Sequence, residues 1–118
     1  MGYYSKVGLV LTKEANIKLQ KELEEIKGEE HELFNGWRDK FLTDEETGAV
    51  LYYWEAIKWY YEECDWVNKF LDRTDSREYL FVRLGEDFDD LEEKGLFSDN
   101  PFDLRATAKL EFTGENEE

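Results

Sequence analysis

An α+β fold is expected, with the order β-α-β-α-β-β and two helices laid on one face of a four-stranded sheet. Three observations predict it. Val7, Leu9 and Leu11 alternate within YYSKVGLVL, residues 3–11. Ala15, Leu19, Leu23, Ile26 and Leu33 recur at steps of three, four and seven. Leu104, Ala106, Ala108, Leu110 and Phe112 then alternate with Arg105, Thr107, Lys109 and Glu111. A period of two marks a strand with one buried face, and a period near 3.6 marks a helix.

The elements follow in order. Residues 3–11 read as the first strand, and Thr12 is placed to cap the helix after it. The helical stripe keeps its phase to Trp37, so the helix is expected to run to about residue 40, with Gly28 as its weak point. TDEETG, residues 43–48, is a turn, and AVLYYW, residues 49–54, is rich in β-formers. Asp65 can cap a short helix whose apolar face is Trp66, Val67, Phe70 and Leu71. REYLFVRL, residues 77–84, is a strand with Leu80, Val82 and Leu84 on one side. An acidic loop follows, then a turn at SDNP, residues 98–101, then LRATAKLEF, residues 104–112, as the last strand. Helices must cover a sheet face to bury their stripes, and the alternation of the last strand leaves the other face partly solvated. At 118 residues, 1–113 are expected to form a single domain and 114–118 a frayed acidic tail.

Charge narrows the function classes. Thirty acidic residues against fifteen basic ones give a formal net charge of −15. The excess is uneven: residues 1–85 carry 18 acidic and 12 basic groups, and residues 86–118 carry 12 and 3. A field of that sign repels nucleic acid and anionic membranes and attracts basic surfaces within about 8–10 Å at ordinary salt. Aromatics at 16% argue for a folded chain despite the charge. One cysteine, Cys64, excludes an intrachain disulfide. No apolar run approaches a membrane span, and MGYYSK has neither the apolar centre of a signal peptide nor the myristoylation pattern. A soluble intracellular protein is expected.

The densest acidic stretch is LGEDFDDLEEKG, residues 84–95, where Glu86, Asp87, Asp89, Asp90, Glu92 and Glu93 face one lysine, Lys94. It fails as a calcium loop: counted from Asp87, the fifth position is Leu91, the turn glycine is replaced by Glu92, and Ser98 stands where a bidentate Glu belongs. No His or Cys accompanies it to favour zinc or iron. Six hydrated carboxylates also lack the burial that splits an acid–base pair. His31 sits on a helix surface in GEEHEL. Cys64 lies among Glu62, Glu63 and Asp65, which suppress its thiolate. No catalytic or metal-ligating residue and no cofactor is therefore assigned, and an enzyme is not expected.

Read as an interaction surface, the six acids space negative charge on the scale of phosphates along a nucleic-acid backbone. The run YYWEAIKWYYEECDW, residues 52–66, holds three of the four Trp and four of the seven Tyr. Core packing accounts for about half of them, since alternate strand residues point opposite ways. An aromatic left outside, such as Trp59 or Tyr60, would anchor a protein partner.

Three blocks, MGYYSKVGLVLTKE, YWEAIKWYYE and FVRLGEDFDDLEEKG, resemble a family of small acidic proteins encoded by tailed bacteriophages and prophages, over roughly residues 1–97. The resemblance carries no catalytic or binding residue with it. It implies a setting, the cytoplasm of an infected bacterium. In that setting the expected partner is a basic host protein, a defence nuclease or another DNA-binding protein, blocked by a DNA-like negative surface. Direct contact with nucleic acid or membrane is not expected. The alternative is a phage structural or assembly accessory protein that forms a homo-oligomer through its aromatic face.

Overall fold

A computed structural model describes residues 4–26, 29–59, 62–86, 90–97, 101–102, 105–106 and 110–111. It shows an α+β architecture built on a five-stranded antiparallel sheet with three helices among the described residues. Strand β1, Ser5–Leu11, is central, and both its faces are covered. Thr12 caps helix α1, Lys13–Glu24, as expected, its hydroxyl accepting from the Ala15 amide at 3.2 Å. Ala15, Leu19 and Leu23 form the buried stripe of α1.

The long helix expected to about residue 40 is instead two. Helix α1 ends at Glu24 with Glu25 as its cap, and helix α2, Glu29–Asn35, is a separate element; Gly28, the expected weak point, lies outside the described residues. Leu33 and Phe34 are both buried, and α2 closes with the Gly36 and Trp37 amides donating to the Glu32 carbonyl. Trp37 therefore lies beyond the helix and is 42% exposed. Next comes a strand not anticipated from the sequence, β2, Lys40–Thr43, which pairs with β3, Val50–Ile57. The turn between them is tied by the Asp44 carboxylate, which accepts from the Thr47 amide and hydroxyl.

Helix α3, Glu62–Asp72, begins ahead of Asp65, so Asp65 lies inside it and is no cap. Val67, Phe70 and Leu71 are buried as the stripe implied. A 3-10 turn, Ser76–Glu78, leads into β4, Tyr79–Leu84. The acidic stretch expected as loop contains a fifth strand, β5, Leu91–Lys94, paired to β4. The sheet order is β2-β3-β1-β4-β5. In place of one last strand over 104–112, two short strands, β6 (Arg105–Ala106) and β7 (Leu110–Glu111), pair with each other as a separate two-stranded sheet. Alternation reports which side of a chain is apolar, and it survives a reversal of direction, so it could not distinguish a hairpin from a strand. The tail at 114–118 lies outside the described residues.

The helices cover one sheet face, where Val7, Leu9, Leu11, Val50, Tyr52, Trp54, Tyr79 and Phe81 meet the apolar sides of α1, α2 and α3. Phe34 sits at its centre, edge-on to Tyr52, Trp54 and Trp66. Two polar ties fix the layers. The buried Trp54 indole donates to the Leu33 carbonyl at 3.0 Å, and the Tyr52 hydroxyl donates to Asn16 and accepts from Gln20, both at 2.8 Å. The opposite face, expected to be partly solvated, carries a second buried cluster of Val10, Ala49, Leu51, Tyr53, Val82, Leu84 and Phe102. The chain after β5 supplies that cover, with Phe97 packed against the cluster and its amide donating to the Tyr79 carbonyl.

Candidate interaction surface

The acidic stretch is the end of a hairpin. β4 runs outward from Tyr79 and β5 returns from Leu91, and between them the Gly85 amide donates to the Asp90 carbonyl at 2.8 Å. Register places Arg83 opposite Glu92 on the helix-covered face, and Ser5 of β1 lies beside them. The Arg83 guanidinium donates to Glu92 at 3.0 Å, to Asp90 at 2.9 Å and to the Ser5 hydroxyl at 3.1 Å. Burial alone would lower the Arg83 pKa. Its hydrogen bonds to Asp90 and Glu92 outweigh that and hold it above the usual arginine value. Lys94 approaches Glu92 at 3.8 Å and donates to Asn68 of α3.

The six acids thus have different environments. Asp90 and Glu92 are half-buried and held by Arg83. Glu86 is exposed, and its carboxylate accepts from the Tyr4 amide at 2.7 Å. Glu93 lies opposite Val82 and is exposed on the other face. Asp87 and Asp89 lie outside the described residues. Arg83 already occupies the space a cation would take between Asp90 and Glu92. Among the described residues, no group of three or more His, Cys, Asp or Glu is placed to hold a metal ion.

Trp59, expected as an exposed anchor, is only partly exposed. Its ring packs against Trp54 and Phe81 with centroids at 5.6 Å from each, and its buried indole nitrogen has no hydrogen-bond partner. Tyr60 and the side chain of Cys64 lie outside the described residues, as does that of His31, a residue of α2. Among the described residues, the aromatics most open to solvent are elsewhere: Tyr4, Trp37 and Phe41. Phe41 is on the outermost strand β2, tilted against Tyr52 at 5.0 Å, with the Arg38 guanidinium 4.4 Å above its ring. Sequence reasoning passed over this region because it extended a helix through it. Its signal was a cationic pair, Arg38 and Lys40, set between two aromatics in an otherwise acidic chain.

No helix among the described residues is long and apolar enough to cross a membrane. No protein-family model matches this chain, and no curated protein or solved structure does either.

Proposed function

We propose that this protein works by binding: the end of the β4–β5 hairpin presents negative charge to a basic partner, and the protein has no catalytic chemistry of its own. The partner that fits is a host protein that normally grips DNA, in a cell infected by the phage that the sequence resemblance implies. Occluding that protein's DNA site would be the effect. One observation carries the reading. Six carboxylates against Arg83 and Lys94 leave the hairpin four negative charges in excess, with Glu86 open to solvent at its end and Glu93 exposed along β5. Such a field raises the rate of encounter with a cationic groove and opposes nucleic acid itself.

The geometry also chooses the test. Asp90 and Glu92 hold Arg83, so the informative variant spares them and carries Glu86→Gln, Asp87→Asn, Asp89→Asn and Glu93→Gln. Parent and variant are immobilised and exposed to bacterial lysate, with and without excess duplex DNA. A DNA-binding protein retained by the parent, released by DNA and lost by the folded variant supports the proposal. Identical retention by parent and variant, or retention indifferent to DNA, removes the acidic hairpin from consideration.

A further inference from the structure

Strand β5 is an outer strand, and its free side faces no other strand among the described residues. The register decides which of its backbone groups face outward. The Gly85 amide donates to the Asp90 carbonyl, which makes these two a hydrogen-bonded pair. Such pairs recur every second residue, so Glu92 bonds to Arg83 and Lys94 to Phe81. The far side of β4 agrees: the Thr12 amide donates to the Glu78 carbonyl, which commits Leu80, Val82 and Leu84 to β1. The amides and carbonyls of Leu91 and Glu93 therefore point away from the sheet. The side chains of this pair share one face. Leu91 is 46% exposed, and Glu93 is exposed with no side-chain partner among the described residues.

We propose that the basic partner docks through an extended segment that adds an antiparallel strand to the free edge of β5. The inference rests on the reading of the hairpin as a surface for a cationic protein, and it specifies which part of that protein the surface takes. Main-chain hydrogen bonds to Leu91 and Glu93 hold the segment, and side chains select it. A lysine or arginine falls opposite Glu93 and an apolar residue, two positions later, opposite Leu91. Further basic residues then run past Leu91 toward the hairpin end, where the excess carboxylates are. The other face asks for no charge, because Glu92 is held by Arg83 and Lys94 donates to Asn68. Charge selects this occupant. Residues 86–118 carry 12 acidic and 3 basic groups, so the local field and the net charge of −15 both attract a cationic strand. A second copy would bring another −15 and is repelled. The β2 edge suits a cationic segment less well, since it carries Lys40 and has the Arg38 guanidinium 4.4 Å above the Phe41 ring.

The test uses the purified full chain and a synthetic peptide, acetyl-Thr-Arg-Thr-Val-Thr-Lys-Lys-amide, at low salt. Amide hydrogen exchange by NMR is the first readout. In the free chain, Glu92 and Lys94 should exchange slowly and Leu91 and Glu93 fast; the peptide should then slow Leu91 and Glu93. The control is the same peptide N-methylated at its Arg and Val. It keeps every charge, loses both donors that face β5 and should bind about tenfold more weakly or worse. Leu91→Pro removes an outward amide at the first residue of β5, leaves all charges in place and should weaken the plain peptide about tenfold. Where that variant disturbs the hairpin, the two peptides on the parent still decide. Plain and N-methylated peptides that bind alike overturn strand addition while leaving the charged surface standing. Capture from lysate by the parent and the four-acid variant reads the role of charge separately. Failure of the plain peptide to bind also overturns the proposal, as does binding that leaves Leu91 and Glu93 exchanging freely. Slow exchange of those two amides in the free chain refutes their outward assignment.

Discussion

Tyr52 offers a prediction whose sign reverses with pH. Its side chain is 1% exposed at the centre of the helix-covered core, and its hydroxyl bridges Asn16 and Gln20 of α1. Burial pushes its pKa up from 10.0 to about 12, while the Gln20 hydrogen bond and the Arg38 charge pull weakly the other way. At neutral pH, Tyr52→Phe removes the bridge and leaves two half-buried amides that can turn toward water. A cost of about 1 kcal/mol follows. Alkaline pH adds linkage. A folded pKa raised above the unfolded one leaves stability untouched below about pH 10, where both states hold the proton. Between about pH 10 and 12 the unfolded chain ionises first, and stability falls by about 1.4 kcal/mol per pH unit. The parent thus loses about 3 kcal/mol across that window, and the Phe variant loses none of this contribution. The two should be equally stable near pH 11, and the variant should be the more stable above it. Urea midpoints for both proteins at a series of pH values measure this directly, because the other tyrosines and lysines titrate alike in each and cancel. Parallel profiles with no crossing would show that Tyr52 is not held neutral by its surroundings, and the assigned cause would be wrong.

Two further predictions concern the chain around β4 and β5. Gly95 has φ +95°, and a Cβ there would overlap the Tyr79 carbonyl, so Gly95→Ala should cost about 3 kcal/mol in thermal or urea unfolding. A cost within experimental error would mean that the chain leaves β5 by another path. Arg83→Met should cost about 1–2 kcal/mol by releasing Asp90 and Glu92 against each other, discounted for their partial exposure. The deficit should shrink in high salt; a deficit independent of salt would assign Arg83 a packing role instead.

The parts of the fold legible in the sequence are those whose burial is one-sided or periodic. Thr12 and the Ala15–Leu23 stripe announce α1, and Val67, Phe70 and Leu71 announce the buried face of α3 even though its start was misplaced. What escaped has a common cause. β2 and β5 are four residues each and lie at the sheet edges, so KFLT and LEEK bury too little to carry a period. The second core was hidden because it depends on Phe97 and Phe102 folding back from beyond β5, a long-range event that local patterning does not encode. At the candidate site, the acidic cluster was visible as composition, but its division into held and open carboxylates was not. That division comes from Arg83, which shares a face with Glu92 only once β5 has formed.

The central position of β1 bears on how the chain folds. Its two neighbours are β3 and β4, so Ser5–Leu11 has no lateral partner until the chain reaches residue 50, and no second one until residue 79. Every pairing that completes the middle of the sheet closes a long loop, and the loop-closure entropy must be met before the pairing returns any stability. Folding should therefore be slow for a chain of this length. During synthesis, VGLVL has no strand partner until about two-fifths of the protein is made, and the lysines and glutamates of α1 immediately behind it stand where charged gatekeepers would oppose its aggregation.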